Sequence, residues 1–202
     1  MAGFAVAAAA ATALVPLTDL WVPILIATVL VWVLSALFWT VSPHHKQEFA
    51  KLPNEDQAMA ALRQAGVVTP GTYAFPLAGN QAEVKTPEFQ KKLDAGPVGM
   101  LTITAPDIYR NMGKPMILSA IFYLVVTIFV AYVAGRTLPP GTDYLQVFRI
   151  TGATAFLAYG MGSIPDAIWF GRPWSRIGKQ LFDSLVYALF TAGVFGWRWP
   201  GA

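Results

Sequence analysis

The sequence predicts an α-helical integral membrane protein: four transmembrane helices, with a small α+β cytoplasmic domain inserted between the first and second. Three observations predict it. Of 202 residues, 55% are apolar and only 12% charged, where a soluble domain carries about a quarter of its residues as Asp, Glu, Lys or Arg. Two runs, Trp21 to Val41 and Pro115 to Gly135, pass through 21 residues each without a charge. Lysine and arginine gather in two of the loops that such runs define. This composition excludes a soluble secreted domain, a disordered chain and a fibrous repeat.

Residues 1–20 form an apolar, Ala-rich N-terminal segment. Ala7 to Ala13 imitates the apolar part of a signal sequence, but no Lys or Arg precedes His44, so the positive n-region is missing. Pro16 and Pro23 bracket Thr18-Asp19-Leu20, and proline disfavours a helical residue before it. A short helix in the interface or against the bundle, then a turn, is expected; a fifth, short span is the alternative.

The first span is residues 21–41 and the second 115–135, the latter bracketed by Lys114 and Arg136. At about 1.5 Å per residue, either run crosses the roughly 30 Å hydrocarbon core. The third and fourth spans are leaner. Ile150 to Ile164 has 15 uncharged residues and extends to 145–169 only by including Arg149 and Asp166. Ser184 to Trp197 has 14 and extends to 181–199 by including Asp183. Charges near span ends reach the headgroups by snorkelling.

Orientation follows from the basic residues beside the spans. Lys46, Lys51, Arg110 and Lys114 lie in the loop after the first span, and Arg172, Arg176 and Lys179 in the loop before the last. Both loops belong on one side, which the positive-inside rule makes cytoplasmic. The N-terminus is then outside, and the location a bacterial-type inner cell membrane.

Residues 42–114 are too long for a bare connection. Asn54-Glu55-Asp56-Gln57 reads as a capping box opening a helix that stops at Gly66. Thr72 to Phe75 alternates like a strand, Thr86-Pro87 opens a second helix that Gly96 stops, and Val98 to Thr104 reads as another strand. Large apolar residues are few, so the core is thin and leans on the membrane or a partner. Its eight basic and seven acidic residues nearly cancel, which argues against a nucleic-acid partner.

Asp166, Trp169, Arg172, Trp174, Arg176, Lys179 and Asp183 converge within about twenty residues between the last two spans. They read either as an anion or lipid-headgroup site, or as an interfacial hairpin with a Trp belt. In the hairpin reading, Asp166 and Asp183 form salt bridges with Arg172 and Arg176. Small residues recur every four positions: Thr154, Ala158 and Gly162 on the third span, Ser184, Ala188, Ala192 and Gly196 on the fourth. Small faces let helices approach closely, so a tight antiparallel pair is expected. The stripe Ser119, Tyr123, Thr127 on the second span is expected to hydrogen-bond to a neighbour.

Chemistry is mostly excluded. Cysteine is absent, and the two histidines, His44 and His45, lie outside every span. Haem, chlorophyll and thiolate metal sites therefore lack ligands, and a mid-span lysine for retinal is missing. His44-His45 reads as a surface pair near the headgroups, with Glu48 the one carboxylate at useful spacing, so neither metal nor cofactor is expected. No Gly-Xaa-Gly-Asp motif precedes Asp183, and Gly160-Met161-Gly162 follows no strand. The expected function is that of a non-catalytic accessory or assembly subunit of a larger membrane complex, whose partners are lipids and other membrane subunits. The alternative is a small oligomeric transporter or channel using Asp166, Asp183 and Arg149; an enzyme acting on lipid lacks an evident nucleophile or metal.

Overall fold

The computed structural model describes residues 14–201, so the reading of the N-terminal segment falls largely on residues outside it. A 3-10 turn, Leu17–Leu20, leads into helix α1 (Trp21–Thr40), and a second such turn, Pro43–His45, follows. The inserted segment then holds α2 (Glu55–Gln64), β1 (Gly71–Phe75), α3 (Gln81–Val84), α4 (Pro87–Ala95), β2 (Gly99–Ile103) and α5 (Asp107–Arg110). The chain returns through α6 (Gly113–Thr137) and α7 (Tyr144–Gly160), a 3-10 turn (Met161–Ser163), α8 (Ile164–Phe170) and α9 (Trp174–Trp197).

The described residues are mostly helical, with one two-stranded sheet. Two stretches, Leu17–Thr40 and Gly113–Thr137, are long and apolar enough to cross a membrane. Helix α7 is 17 residues long, and α9 carries Arg176, Lys179 and Asp183 in its first half, so neither reaches that standard by itself.

Helices α1, α6, α7 and α9 pack in a ring: α7 on α9, α9 on α1, α1 on α6, and α6 on α7. Neighbours run antiparallel. Gly152 faces Ala192, Gly160 faces Ser184, and Gly196 faces the Tyr144 ring so closely that a Cβ there would sit 2.7 Å from it. On the other side of the ring, Thr28 and Thr127 hydroxyls meet at 2.7 Å, Tyr123 donates to Ser35 at 2.7 Å, and Trp32 Nε1 donates to Ser119 at 3.1 Å. The stripe of α6 thus bonds to α1. Residues 41–112 and the turn before α9 leave at one end; the α6–α7 connection and both described termini lie at the other. There, Gly135 admits the chain at Val15, whose amide donates to the Gly135 carbonyl at 3.1 Å, where a Cβ would stand 2.5 Å from the Val15 oxygen.

Leu20, Ala27, Val130, Ala134, Val147, Ala155 and Phe195 fill the interior. Outward, Val29 and Val33 of α1, Ile117 and Phe129 of α6, Leu145 and Leu157 of α7, and Leu185 and Leu189 of α9 are exposed. Each of the four long helices thus carries exposed apolar side chains as well as buried ones.

The small-residue faces come out differently on the two helices. Ser184, Ala188, Ala192 and Gly196 are all buried on α9. On α7 the expected face is displaced: Ala158 and Gly162 are exposed and Thr154 half-buried, while Val147, Thr151 and Ala155 form the buried stripe. Thr151 with Ala155 and Thr154 with Ala158 make two neighbouring stripes of similar size, which spacing alone does not separate. The 3-10 turn at Met161–Ser163 also shifts the phase, so Gly162 and Asp166 do not continue the α7 face. That turn divides the expected third span of 145–169 into α7 and α8, with Pro165 in the first turn of α8, where its missing N–H costs little. Helix α9 begins seven residues before the expected start of 181.

In the inserted segment, β1 pairs antiparallel with β2, from Gly71 opposite Ile103 to Phe75 opposite Gly99. Thr86 caps α4 by accepting from the Phe89 amide at 3.3 Å. The capping box at Asn54 does not form. Asn54 takes the left-handed conformation, φ 49°, and its side chain caps nothing, so Glu55 and Asp56 are left to favour the N-terminus of α2 by charge. A reciprocal cap does form at the start of α3: Asn80 accepts from the Glu83 amide at 2.9 Å, and Glu83 accepts from the Gly79 amide at 2.7 Å. Between Lys46 and Met112, Phe89 alone is fully buried.

Candidate functional site

The site lies where α1 ends. Ser42 Oγ accepts from the His44 amide at 3.2 Å, and Pro43 opens the 3-10 turn that follows. This tight turn folds both imidazoles back over the end of the bundle instead of releasing them to the surface. The His45 ring stacks on Trp39, centroids 4.0 Å apart and planes 2° from parallel. Its two nitrogens each meet a carboxylate: Nε2 lies 2.7 Å from Asp183 Oδ2, and Nδ1 pairs with Glu48 Oε1. His45 is 6% exposed and Asp183 4%.

The outer contacts hold this centre in place. Arg176 Nε lies 3.3 Å from Glu48 Oε2, and its guanidinium covers the Phe49 ring. Lys179 Nζ donates to the His44 carbonyl at 2.5 Å. His44 Nε2 approaches Asp183 Oδ1 to 3.3 Å, but without hydrogen-bond alignment, so both atoms are buried and unpartnered. An ionised carboxylate only accepts hydrogen bonds. A doubly protonated His45 satisfies both carboxylates; a neutral His45 donating to Glu48 leaves its Nε2 lone pair against Asp183, where a proton on the carboxyl or another cation is needed.

A cavity of about 210 Å³ borders the cluster, lined among others by Trp39, Tyr123, Tyr159, Arg176, Asp183 and Tyr187. The three tyrosine rings stand edge to face, with centroids 5.9 to 6.0 Å apart. The hydroxyls of Tyr159 and Tyr187 are buried with no protein partner. The cavity can therefore take a small polar ligand or water, with phenol donors on one wall and charge on the other.

This arrangement corrects the reading of the histidines and of Asp183. His44-His45 is not a surface pair, since His45 is enclosed. Asp183 does not bridge to arginine; its partners are the histidines, and Arg176 pairs with Glu48. The reason is helical geometry. Arg176 and Asp183 are two turns apart on α9, about 10 Å along the axis, whereas the turn after α1 delivers His45 directly. Asp166 does pair with Arg172, Nε to Oδ2 3.2 Å, with side chains 41% and 45% exposed. Trp169 and Trp174 are exposed. The seven residues expected together thus divide, Asp166, Trp169 and Arg172 at the α8 end, Trp174 exposed at the start of α9, and Arg176, Lys179 and Asp183 around the histidines. Trp169 and Arg172 instead line a cavity of about 940 Å³ facing Thr72, Met100 and Thr102 of the sheet.

The unread signal was a buried carboxylate without a local partner. Asp183 begins the apolar stretch of α9, and a charge there needs a counter-ion; the histidines at the end of another apolar run were the unassigned candidates. Searches against models of protein families, curated proteins and solved structures found no match to the chain.

Proposed function

We propose that the protein is a multi-pass membrane protein of four spans, without catalysis of its own, that acts as an accessory or assembly subunit of a larger membrane complex. The observation that carries this reading is the incomplete core of the inserted segment. Among the apolar residues of 46–112 only Phe89 is buried, while Phe49, Leu52, Leu77, Val98, Tyr109 and Met112 are exposed. A segment of about 70 residues normally needs a better-filled core or a partner, and a partner would cover these exposed apolar side chains.

The four-span reading draws support from the outward apolar side chains of α7 and α9. Helix α9, with 24 residues, is about 36 Å long. Lys46, Lys51, Arg110, Lys114, Arg172, Arg176 and Lys179 gather at one end of the bundle, which the positive-inside rule places in the cytoplasm. Both termini then face outward from a bacterial-type inner membrane. The transporter alternative draws less support, because Asp166, Asp183 and exposed Arg149 do not converge on one path.

Native mass measurement in mild detergent, with photocrosslinkers at Leu77 and Tyr109, tests the proposal. A stoichiometric complex with a second membrane protein, crosslinked from either position, is expected. A lone chain that crosslinks only to lipid would contradict it.

A further inference from the structure

We propose that His44 Nε2, His45 Nε2 and the Asp183 carboxylate bind a divalent transition-metal ion of the zinc class. This goes beyond the accessory role and does not depend on it. Three observations lead there independently.

First, the donor atoms converge. The three ligand atoms lie within 4.8 Å of one another. A tetrahedral ion with bonds of about 2.0–2.1 Å needs them roughly 3.4 Å apart. The 3.3 Å between His44 Nε2 and Asp183 Oδ1 already meets that separation, whereas the 2.7 Å between His45 Nε2 and Asp183 Oδ2 is a hydrogen-bond distance that an ion would open by about 0.7 Å.

Second, two donors are orphaned. His44 Nε2 and Asp183 Oδ1 are buried without a hydrogen-bond partner, an unfavourable condition for any polar group and more so for a charged one. The neighbouring cations do not relieve it: Arg176 is engaged with Glu48, and Lys179 with the His44 carbonyl. One ion between the three side chains satisfies both atoms and also separates the His45 lone pair from Asp183.

Third, the outer shell is present. A metal-bound histidine characteristically gives its other ring N–H to a carboxylate, which fixes the tautomer and strengthens the ligand. Glu48 accepts at His45 Nδ1 and is itself held by Arg176. The ring is further fixed by its stack on Trp39. Two imidazoles and one carboxylate suit zinc, and also cobalt, nickel and copper, better than magnesium or calcium. Three protein ligands leave a coordination position free, and the adjacent cavity supplies water or a small anion to fill it.

The test uses the full chain in mild detergent, stripped with chelator and titrated with Co²⁺ alone. One equivalent should bind and develop the visible absorption of a four- or five-coordinate site, and Zn²⁺ should displace it. His44→Gln, at a side chain that makes no hydrogen bond, should weaken Co²⁺ binding at least tenfold with the melting temperature nearly unchanged. Wild-type protein that develops no visible band, or His44→Gln protein that binds Co²⁺ as tightly as wild type, would overturn the proposal. Should the variant fail to fold, the wild-type titration decides alone: a band displaced by Zn²⁺ supports the site, and its absence refutes it.

Discussion

Asp183 Oδ2 lies 2.7 Å from His45 Nε2, although 138 residues separate the two in the chain. That contact ties the turn after α1 to the first half of α9, and it places the only histidines of the sequence inside the bundle end. The inserted segment leaves the bundle immediately after this turn.

Removing the imidazole should be costly. His45→Ala leaves Glu48 and Asp183 buried without their shared partner, and breaking a buried pair in this way typically costs about 3–5 kcal/mol. Equilibrium unfolding in detergent should show that loss. A change below about 1 kcal/mol, the range of exposed pairs, would mean that water reaches both carboxylates.

The two aspartates should behave unequally. Asp166 and Arg172 are each more than a third exposed, so Asp166→Asn should cost about 0–1 kcal/mol and leave no ion-dependent phenotype. Flux in proteoliposomes that disappears in Asp166→Asn protein of unchanged melting temperature would instead favour the transporter alternative.

The α7–α9 contact gives a paired test. Ala192 is fully buried against Gly152, whereas Ala158 is exposed. Ala192→Leu should lose about 1–3 kcal/mol through overpacking, and Ala158→Leu should lose nothing measurable. Equal losses at both sites, read from thermal melts, would mean that α7 packs through its other stripe.

How much could be read without coordinates depended on whether an interaction was local. The runs that became α1 and α6 were plain, because some twenty uncharged residues have few other uses. The caps at Thr86 and the stops at Gly66 and Gly96 were equally local, as was the Asp166–Arg172 pair. The end of α7 at Gly160 was hidden, because apolar residues continue through the break. The start of α9 was hidden for the opposite reason: Trp174 to Asp183 carries loop-like charges, yet Ile177 is buried and the turn is helical. Asn54 misled because a capping sequence states a local preference, which the approach of the chain to α2 overrode. The histidine site could not be reached by spacing at all, since its halves come from opposite ends of the sequence.

A bundle that crosses a membrane places the inserted segment and the turn before α9 on one side of it. The chain has no cysteine, so single substitutions Lys91→Cys, Ser175→Cys and Pro140→Cys, all at exposed positions, can be labelled in intact cells with a membrane-impermeant maleimide. Pro140→Cys should react, while Lys91→Cys and Ser175→Cys should react only after the membrane is opened. Labelling of Pro140→Cys and Lys91→Cys from the same side would contradict the four-span architecture and, with it, the placement of the His45–Asp183 cluster at the cytoplasmic rim.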